Sequence, residues 1–129
     1  KAKKKKKIIT KKAPAAIGTY SQAIVVENFV FISGQIPLNY SDMSVSTESF
    51  ENKVSLVLNN INEIANEAGS DINHCVKFTV YLKDLENFSK VNTVMESYLD
   101  EPYPARAAVE VSRLPKDVDV EIDAILYKK

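Results

Sequence analysis

Two stretches of the sequence decide the predicted fold: Pro104-Ala105-Arg106-Ala107-Ala108-Val109-Glu110-Val111 and Val118-Asp119-Val120-Glu121-Ile122-Asp123-Ala124-Ile125-Leu126. Successive side chains of a strand point to opposite faces, so each stretch separates into two sets of residues. In the second stretch every other residue from Val118 onward is apolar, and three acids lie on the opposite face. The pattern predicts a hairpin with one apolar face and a second face that carries Arg106, Glu110 and those acids.

The polar face of this hairpin suggests a site for a small acid. An arginine offers parallel N–H donors to a carboxylate, and an acid beside it can move a proton. The alternative is a half-exposed sheet whose charges are solvated, and the spacing by itself favours that alternative.

Composition narrows the class of protein. The chain has 129 residues, enough for one domain with a core. Lysine plus arginine and aspartate plus glutamate number 17 each, so the net charge gives no reason to expect nucleic-acid binding. A single cysteine, Cys75, excludes an internal disulfide and favours a reducing compartment, and we expect a cytoplasmic protein. No apolar run approaches membrane-spanning length.

A lysine run from Lys3 to Lys7 precedes the first apolar residues. It can be a targeting or nucleic-acid-binding arm, a segment foreign to the natural chain, or a solvated tail that leads into a strand at Lys7 to Thr10. The last two readings are favoured, because no second basic cluster accompanies the run. We therefore expect residues 1–12 to form a basic tail and a first short strand, and residues 13–129 a single domain.

The remaining elements follow from apolar periodicity and turn residues. The pattern predicts a hairpin of Tyr20 to Val26 and Phe29 to Gln35, a helix through Val54 to Ala68, a strand at His74 to Leu82 and a helix at Leu85 to Leu99. Phe29 to Ile32 is a continuous apolar run, typical of a strand buried on both faces. Ser46 or Thr47 is the expected cap of the first helix, and Gly69 its end.

This order of elements predicts an α+β domain, in which two helices cover one face of a mostly antiparallel sheet. The opposite face is predicted to carry a polar set: Tyr81, Thr79, Arg106, Glu110 and Glu121. A sheet with one uncovered face often meets another copy of itself, so we expect self-association through that face.

Several separated motifs resemble the RidA family, also called YjgF. They are Ala13-Pro-Ala-Ala-Ile-Gly-Thr-Tyr-Ser-Gln-Ala23, Ile32-Ser-Gly-Gln-Ile-Pro37, Val76-Lys-Phe-Thr-Val-Tyr-Leu-Lys-Asp84, Phe88 with Val91-Asn92, and Pro104-Ala-Arg106 through Leu114-Pro115 to Glu121-Ile122. They occur in the family's order, and the resemblance runs from about Ala13 to Lys128.

The resemblance implies a chorismate-mutase-like fold, assembled as a homotrimer with ligand sites between subunits. It also implies hydrolysis of reactive enamine and imine acids, 2-aminoacrylate and 2-aminocrotonate, which pyridoxal-phosphate enzymes release. The products are 2-oxo acids and ammonia, and neither a cofactor nor a metal is implied. Two alternatives remain: a regulatory trimer that binds a small metabolite without catalysis, and a ribonuclease or translation inhibitor.

The resemblance also implies roles for single residues. Arg106 matches the arginine that grips the substrate carboxylate, and Glu121 matches the glutamate near the reacting carbon, where it acts through a water. The remaining matches line the site: Tyr20 as an aromatic wall, Ser33 and Asn92 as polar walls, Gly34 through its backbone, and Ala108 through its N–H. His74 and Cys75 are not expected to bind a metal or act as a nucleophile, since no second ligand cluster or base accompanies them.

Three residues depart from the family pattern. Thr19 stands where proline is usual, Lys53 where glutamine is frequent, and Ala108 where bacterial members often have cysteine. The change at Ala108 matters little if only its backbone amide is used. Thr19 makes the loop before Tyr20 less rigid than a proline would, and the segment Asn39 to Glu51 also lacks the family's usual glycine.

Overall fold

The computed structural model describes residues 4–129, which form a six-stranded sheet with two helices on one of its faces. The strands are β1 Lys5–Ile8, β2 Ala23–Val26, β3 Phe29–Gln35, β4 Cys75–Leu82, β5 Ala105–Glu110 and β6 Val120–Tyr127. The helices are α1 Phe50–Glu67 and α2 Phe88–Tyr98. The strand order is β1-β2-β3-β6-β4-β5, and every neighbouring pair is antiparallel except β4 and β5. The predicted α+β architecture is confirmed.

The predicted hairpin of β5 and β6 is wrong, because β4 lies between these two strands. Helix α2 carries the chain from the end of β4 back to its start, so β5 pairs with β4 in parallel. The connection between Val111 and Asp119 then crosses the end of β4: Val111 donates its N–H to Leu82, and Lys83 donates to Asp119. Strand β6 consequently takes the other edge of β4 and pairs with β3 as well.

The hairpin of β2 and β3 is confirmed, with its turn at Glu27 and Asn28. Its predicted burial on both faces is wrong. Val30 and Ile32 are buried under the helices, whereas Phe29 and Phe31 are 47% and 43% exposed on the other face of the sheet. The continuous apolar run therefore belongs to a strand with one covered face and one open face.

Helix α1 begins at Ser49, whose Oγ accepts a hydrogen bond from the N–H of Asn52, and not at Ser46 or Thr47. Ser46 instead accepts from Glu48 in the preceding turn. The helix ends before Gly69, which has a φ of +82° and fits the left-handed position that glycine tolerates best. Its fully buried side chains, Val54, Val57, Leu58, Ile61 and Ile64, recur at helical spacing and pack on the sheet.

Strand β1 is the outer strand beside β2, and it begins two residues earlier than predicted. The side chains of Lys4 to Lys7 are exposed, and Ile8 is the first to enter the core. The start of the lysine run, at Lys3, lies outside the described residues. None of the described helices is both long and apolar enough to cross a membrane.

A β-bulge near the start of β4 changes which side chains face the core. The pairing with β6 shifts register between Cys75 and Lys77, so that Cys75 is buried and Val76 is exposed. Alternation along His74 to Leu82 predicts Val76, Phe78, Val80 and Leu82 on one face and Cys75 on the other. The first two residues have the reverse arrangement, and the prediction is confirmed from Phe78 to Leu82.

A pair of leucines on α1 provides a test of where the core lies. Replacing the fully buried Leu58 by alanine leaves a cavity against the sheet, which should lower the free energy of unfolding by about 2–5 kcal/mol. The same change at the partly exposed Leu56 removes less buried surface and should cost less than about 1 kcal/mol. Urea unfolding followed by circular dichroism measures both; equal losses would contradict the packing described here.

Candidate functional site

The predicted site residues lie on two different faces of the sheet. Strand neighbours in register share a face, and Arg106 is aligned with Phe78, which is fully buried beneath the helices. Glu121 is aligned with Tyr81, three residues further along β4 and therefore on the opposite face. The prediction that Arg106, Glu110 and Glu121 share one polar face is wrong. That prediction treated β5 and β6 as direct neighbours. Both strands pair with β4 instead, and the register of the two pairings puts Arg106 on one face of the sheet and Glu121 on the other.

Helix α2 holds Arg106 in a defined position on the helical side of the sheet. The Nη1 atom of Arg106 donates to Asn92 Oδ1 at 3.1 Å and lies 3.7 Å from the sulfur of Met95. Its guanidinium carbon lies 4.7 Å from the centre of the Phe88 ring, within the range of a cation–π contact. Phe88, Asn92 and Met95 lie on the same side of the helix. The Phe88 ring therefore contacts the face of the guanidinium, while Asn92 and Met95 contact its edge at Nη1.

A cavity of about 270 Å³ adjoins Arg106. Asn92, Met95, Leu99, Tyr103 and Pro104 contribute to its wall. Among residues 4–129, the polar contacts of Arg106 all involve Nη1. The N–H groups on Nε and Nη2 make no hydrogen bond within this part of the chain. A guanidinium fixed in this way presents the paired donors that a carboxylate accepts.

Tyr20, Ser33, Gly34 and Glu121 come together on the open side, where they line a second cavity of about 460 Å³. The register between β3 and β6 is irregular between Ile32 and Gln35, and Ser33 and Gly34 lie in that irregularity. Ser33 donates its hydroxyl to the carbonyl of Ser21 at 2.6 Å, which ties β3 to the loop that carries Tyr20. These four predicted residues therefore form one wall.

Gly34 allows the Glu121 carboxylate to lie directly against the backbone of β3. A Cβ atom at this position would collide with Glu121 Oε2, so any other residue displaces the carboxylate. Glu121 is half-buried there, and burial together with the nearby charge of Asp123 raises the pKa of its carboxyl group above the ordinary value. A carboxyl group of this kind takes up and returns a proton closer to neutral pH than an exposed glutamate does.

The sheet separates the seven predicted residues into two half-sites. Arg106, Asn92 and Ala108 lie on the helical side, and we call this set the arginine half-site. Tyr20, Ser33, Gly34 and Glu121 lie on the open side and form the glutamate half-site. Within one chain the backbone of the sheet stands between the two sets, so one copy does not bring Arg106 and Glu121 to the same ligand.

Sequence reasoning missed residues that support each half-site. Phe88 lies under the Arg106 guanidinium, and its spacing of four from Asn92 on a predicted helix was a usable signal. Lys116 lines the cavity that contains Glu121, and its left-handed backbone has no signature in the sequence. Tyr81 bonds Asp123 beside Glu121, a contact between strands whose pairing was not known.

Cys75 and His74 lie outside both half-sites. Burial raises the pKa of the Cys75 thiol to about 12, which keeps it protonated and unreactive near neutral pH. His74 Nδ1 lies 2.8 Å from a carboxylate oxygen of Asp71, in the turn before β4. In the part of the chain that the structure describes, no three His, Cys, Asp or Glu side chains come together in a group able to hold a metal ion.

Comparison with known proteins places the whole arrangement in one family. The model of the family described as Endoribonuclease L-PSP matches residues 10–128. A RutC family protein of Pyrococcus abyssi is 50% identical over 125 residues, covering 97% of this chain and 98% of the relative. The 2-iminobutanoate/2-iminopropanoate deaminase of Bos taurus is 44% identical over 121 residues, covering 94% of this chain and 88% of the relative.

The fold matches solved structures equally well. The crystal structure of RidA from a Psychrobacter species superimposes with a TM-score of 0.91 at 49% identity, covering 95% of this chain and 98% of the other. The sequence matches and the shared fold agree over nearly the whole chain, and the chain belongs to the RidA (YjgF) family, the family of the Endoribonuclease L-PSP model.

Proposed function

We propose that this protein hydrolyses reactive 2-imino acids and their enamine tautomers, such as 2-aminoacrylate and 2-aminocrotonate, to 2-oxo acids and ammonia. The observation that carries the proposal is the pair of complementary half-sites, one with a fixed guanidinium and one with a half-buried carboxylate of raised pKa. The deaminase activity named for relatives at 43–44% identity supports it.

The site forms where two copies of the chain meet. Strand β5 is an outer strand of the sheet, so Arg106 lies near the rim, whereas Glu121 lies on the open face. That open face exposes large apolar side chains, Phe29, Phe31, Val109 and Tyr127, which another copy would cover. A homotrimer has three interfaces between neighbouring copies, and we call each of them a seam. Such a trimer would cover the apolar side chains of the open face and place each Arg106 beside the Glu121 of a neighbouring copy.

Binding comes from the arginine half-site. The guanidinium of Arg106 binds the substrate carboxylate as a bidentate partner, since Asn92 and Phe88 already fix its plane. This contact holds C2 of the imine at the seam, where Glu121 of the neighbouring copy and a water molecule meet it. No cofactor or metal takes part in this scheme.

The hydrolytic step uses Glu121 to carry a proton. A water proton passes to the Glu121 carboxylate as the water oxygen forms a bond to C2, and Glu121 delivers that proton to the imine nitrogen, which gives a carbinolamine. Glu121 then accepts the proton of the carbinolamine hydroxyl and returns it to the amino nitrogen as the C–N bond breaks, so that the 2-oxo acid and ammonia leave and the carboxylate is regenerated. The raised pKa of Glu121 suits both directions of this transfer.

A second candidate function, binding of a small acid without turnover, is favoured by the arginine half-site itself. Asn92, Phe88 and Arg106 are in place within a single copy, so a carboxylate can bind there without Glu121. Turnover therefore distinguishes the two functions, and binding alone does not.

Replacing Arg106 by lysine tests the carboxylate contact. Lysine keeps the charge but loses the paired donors, so kcat/KM should fall by about tenfold to a hundredfold, corresponding to the loss of about 1.5–3 kcal/mol of charge-assisted hydrogen bonding. The assay couples a threonine dehydratase to this protein and follows 2-oxobutanoate above the uncatalysed rate. The matched control is Arg113→Lys, since Arg113 is exposed and lies outside both half-sites. Equal rates for all three proteins would refute the role of Arg106.

Replacing Glu121 by glutamine tests the proton transfer. The rate should fall by about 10²–10⁴-fold, while 2-oxobutanoate binding, measured by calorimetry, should change little. Wild-type activity should decrease as the pH falls through the pKa of Glu121, because the protonated carboxyl no longer accepts the water proton. Since that pKa is raised, the acid limb should lie above the ordinary range of glutamate. Saturable binding with no turnover by the wild type would favour the binding-only function.

Mixed oligomers test the position of the site between copies. The variants Arg106→Ala and Glu121→Gln are each inactive, but an equal mixture of their chains should place an intact Arg106 opposite an intact Glu121 at about a quarter of the seams. Co-refolded protein should therefore recover about a quarter of wild-type activity per site, and sedimentation measures its size. A monomer in sedimentation, or mixed oligomers that stay inactive, would exclude the seam.

A further inference from the structure

Asp123 and Tyr81 lie directly beside Glu121 on the open face of the sheet. Asp123 is two residues from Glu121 on β6 and therefore on the same face. Tyr81 of β4 is the cross-strand neighbour of Glu121, and its hydroxyl donates to Asp123 Oδ2 at 2.9 Å. Tyr81 is therefore paired with Glu121 in the sheet but donates its hydroxyl to Asp123, the acid two residues farther along β6.

The other charged groups around Glu121 are few. Strand β3 contributes Ser33, Gly34 and Gln35, none of which ionises, and the connector before β6 contributes Lys116. Tyr20 lines the same cavity from the loop before β2. In the proposed oligomer, Arg106 of a second copy also approaches, with its charge matched by the substrate carboxylate. Asp123 is the negative charge that acts on Glu121 from its own strand, and it adds to the effect of burial.

We propose that Asp123, fixed by the Tyr81 hydroxyl, is a positioning residue for the hydrolytic step, because its charge keeps the Glu121 carboxyl able to hold and return a proton. The inference rests on the function proposed above. Asp123 does not touch the reacting atoms; it acts through Glu121, two residues away. Tyr81 donates a hydrogen bond to the Asp123 carboxylate and so fixes the position from which its charge acts on Glu121.

Tyr81 and Asp123 act on each other through their hydrogen bond. Burial and the contact with Asp123 raise the pKa of Tyr81, so the phenol stays protonated and remains a donor across the working pH range. The hydrogen bond from Tyr81 therefore keeps the Asp123 side chain on the same face as Glu121.

Direct titration of Glu121 tests the effect without any need for turnover. Carbon-13 NMR of the labelled side-chain carboxyl is compared between the wild type, Asp123→Asn and Glu67→Gln. The asparagine side chain in Asp123→Asn would still accept from Tyr81 but lacks the charge, so the Glu121 midpoint should move to lower pH. Glu67 is an exposed acid on α1, and its replacement removes the same charge without moving the midpoint. An unchanged midpoint in Asp123→Asn would overturn the proposal.

The pH dependence of kcat tests the consequence for catalysis. In Asp123→Asn the acid limb should move to lower pH. Below its pKa, the ionised fraction of a base changes about tenfold per pH unit. Activity at the acid end of the profile, relative to the plateau, should therefore rise by about threefold or more. KM should stay nearly constant, because Arg106 still binds the substrate. A change in KM alone, with the limb unmoved, would overturn the role of Asp123.

A double substitution tests whether Tyr81 acts through Asp123. Tyr81→Phe removes only the hydroxyl and should lower kcat several-fold in the wild-type background, and it should have no further effect in the Asp123→Asn background. Equal effects in both backgrounds would overturn the pairing. A wild type without any turnover would refute the proposed function instead, and the NMR titration would then decide the effect of Asp123 by itself.

Discussion

The backbone of the sheet separates the Arg106 guanidinium from the Glu121 carboxylate. Arg106 projects toward the helices and Glu121 projects away from them, and no side chain passes through the sheet between. The separation follows from the parallel pairing of β5 with β4, which aligns Arg106 with the buried Phe78. One copy of the chain therefore does not bring the two groups to the same ligand, and the function that we propose requires a second copy.

Each half-site is rigid for a different reason. On the helical side, one stripe of α2 contacts Arg106 through an aromatic face, an amide and a thioether. On the open side, an irregularity in the pairing of β3 and the absence of a side chain at Gly34 let Glu121 settle against the backbone. The contacts that position each group come from the chain's own side chains and backbone, so folding itself orders both half-sites.

The helices, the strands and the fold class could be predicted from the sequence, but the order in which the strands pair could not. Periodicity shows which residues of a strand share a face, yet it does not show which strand lies beside it. Val118 to Leu126 and Pro104 to Val111 were accordingly assigned to one hairpin, and Arg106 was placed on the face of Glu121. A continuous apolar run predicts a strand buried on both faces, yet Phe29 and Phe31 lie on the open face, because composition does not show which face of a strand the helices cover. The homotrimer, the cytoplasmic location and the absence of nucleic-acid binding stay predictions.

The lysine side chains of β1 affect how readily a further strand can add to this edge of the sheet. An outer strand presents unpaired backbone groups and invites a further strand from any neighbour, and clustered positive side chains discourage that addition through repulsion. In this chain the exposed side chains of Lys4 to Lys7 lie at the β1 edge of the sheet, while the opposite edge strand, β5, carries Arg106. In the trimer that we propose, this difference leaves β5 as the edge that a neighbour can approach and disfavours open-ended strand addition at β1.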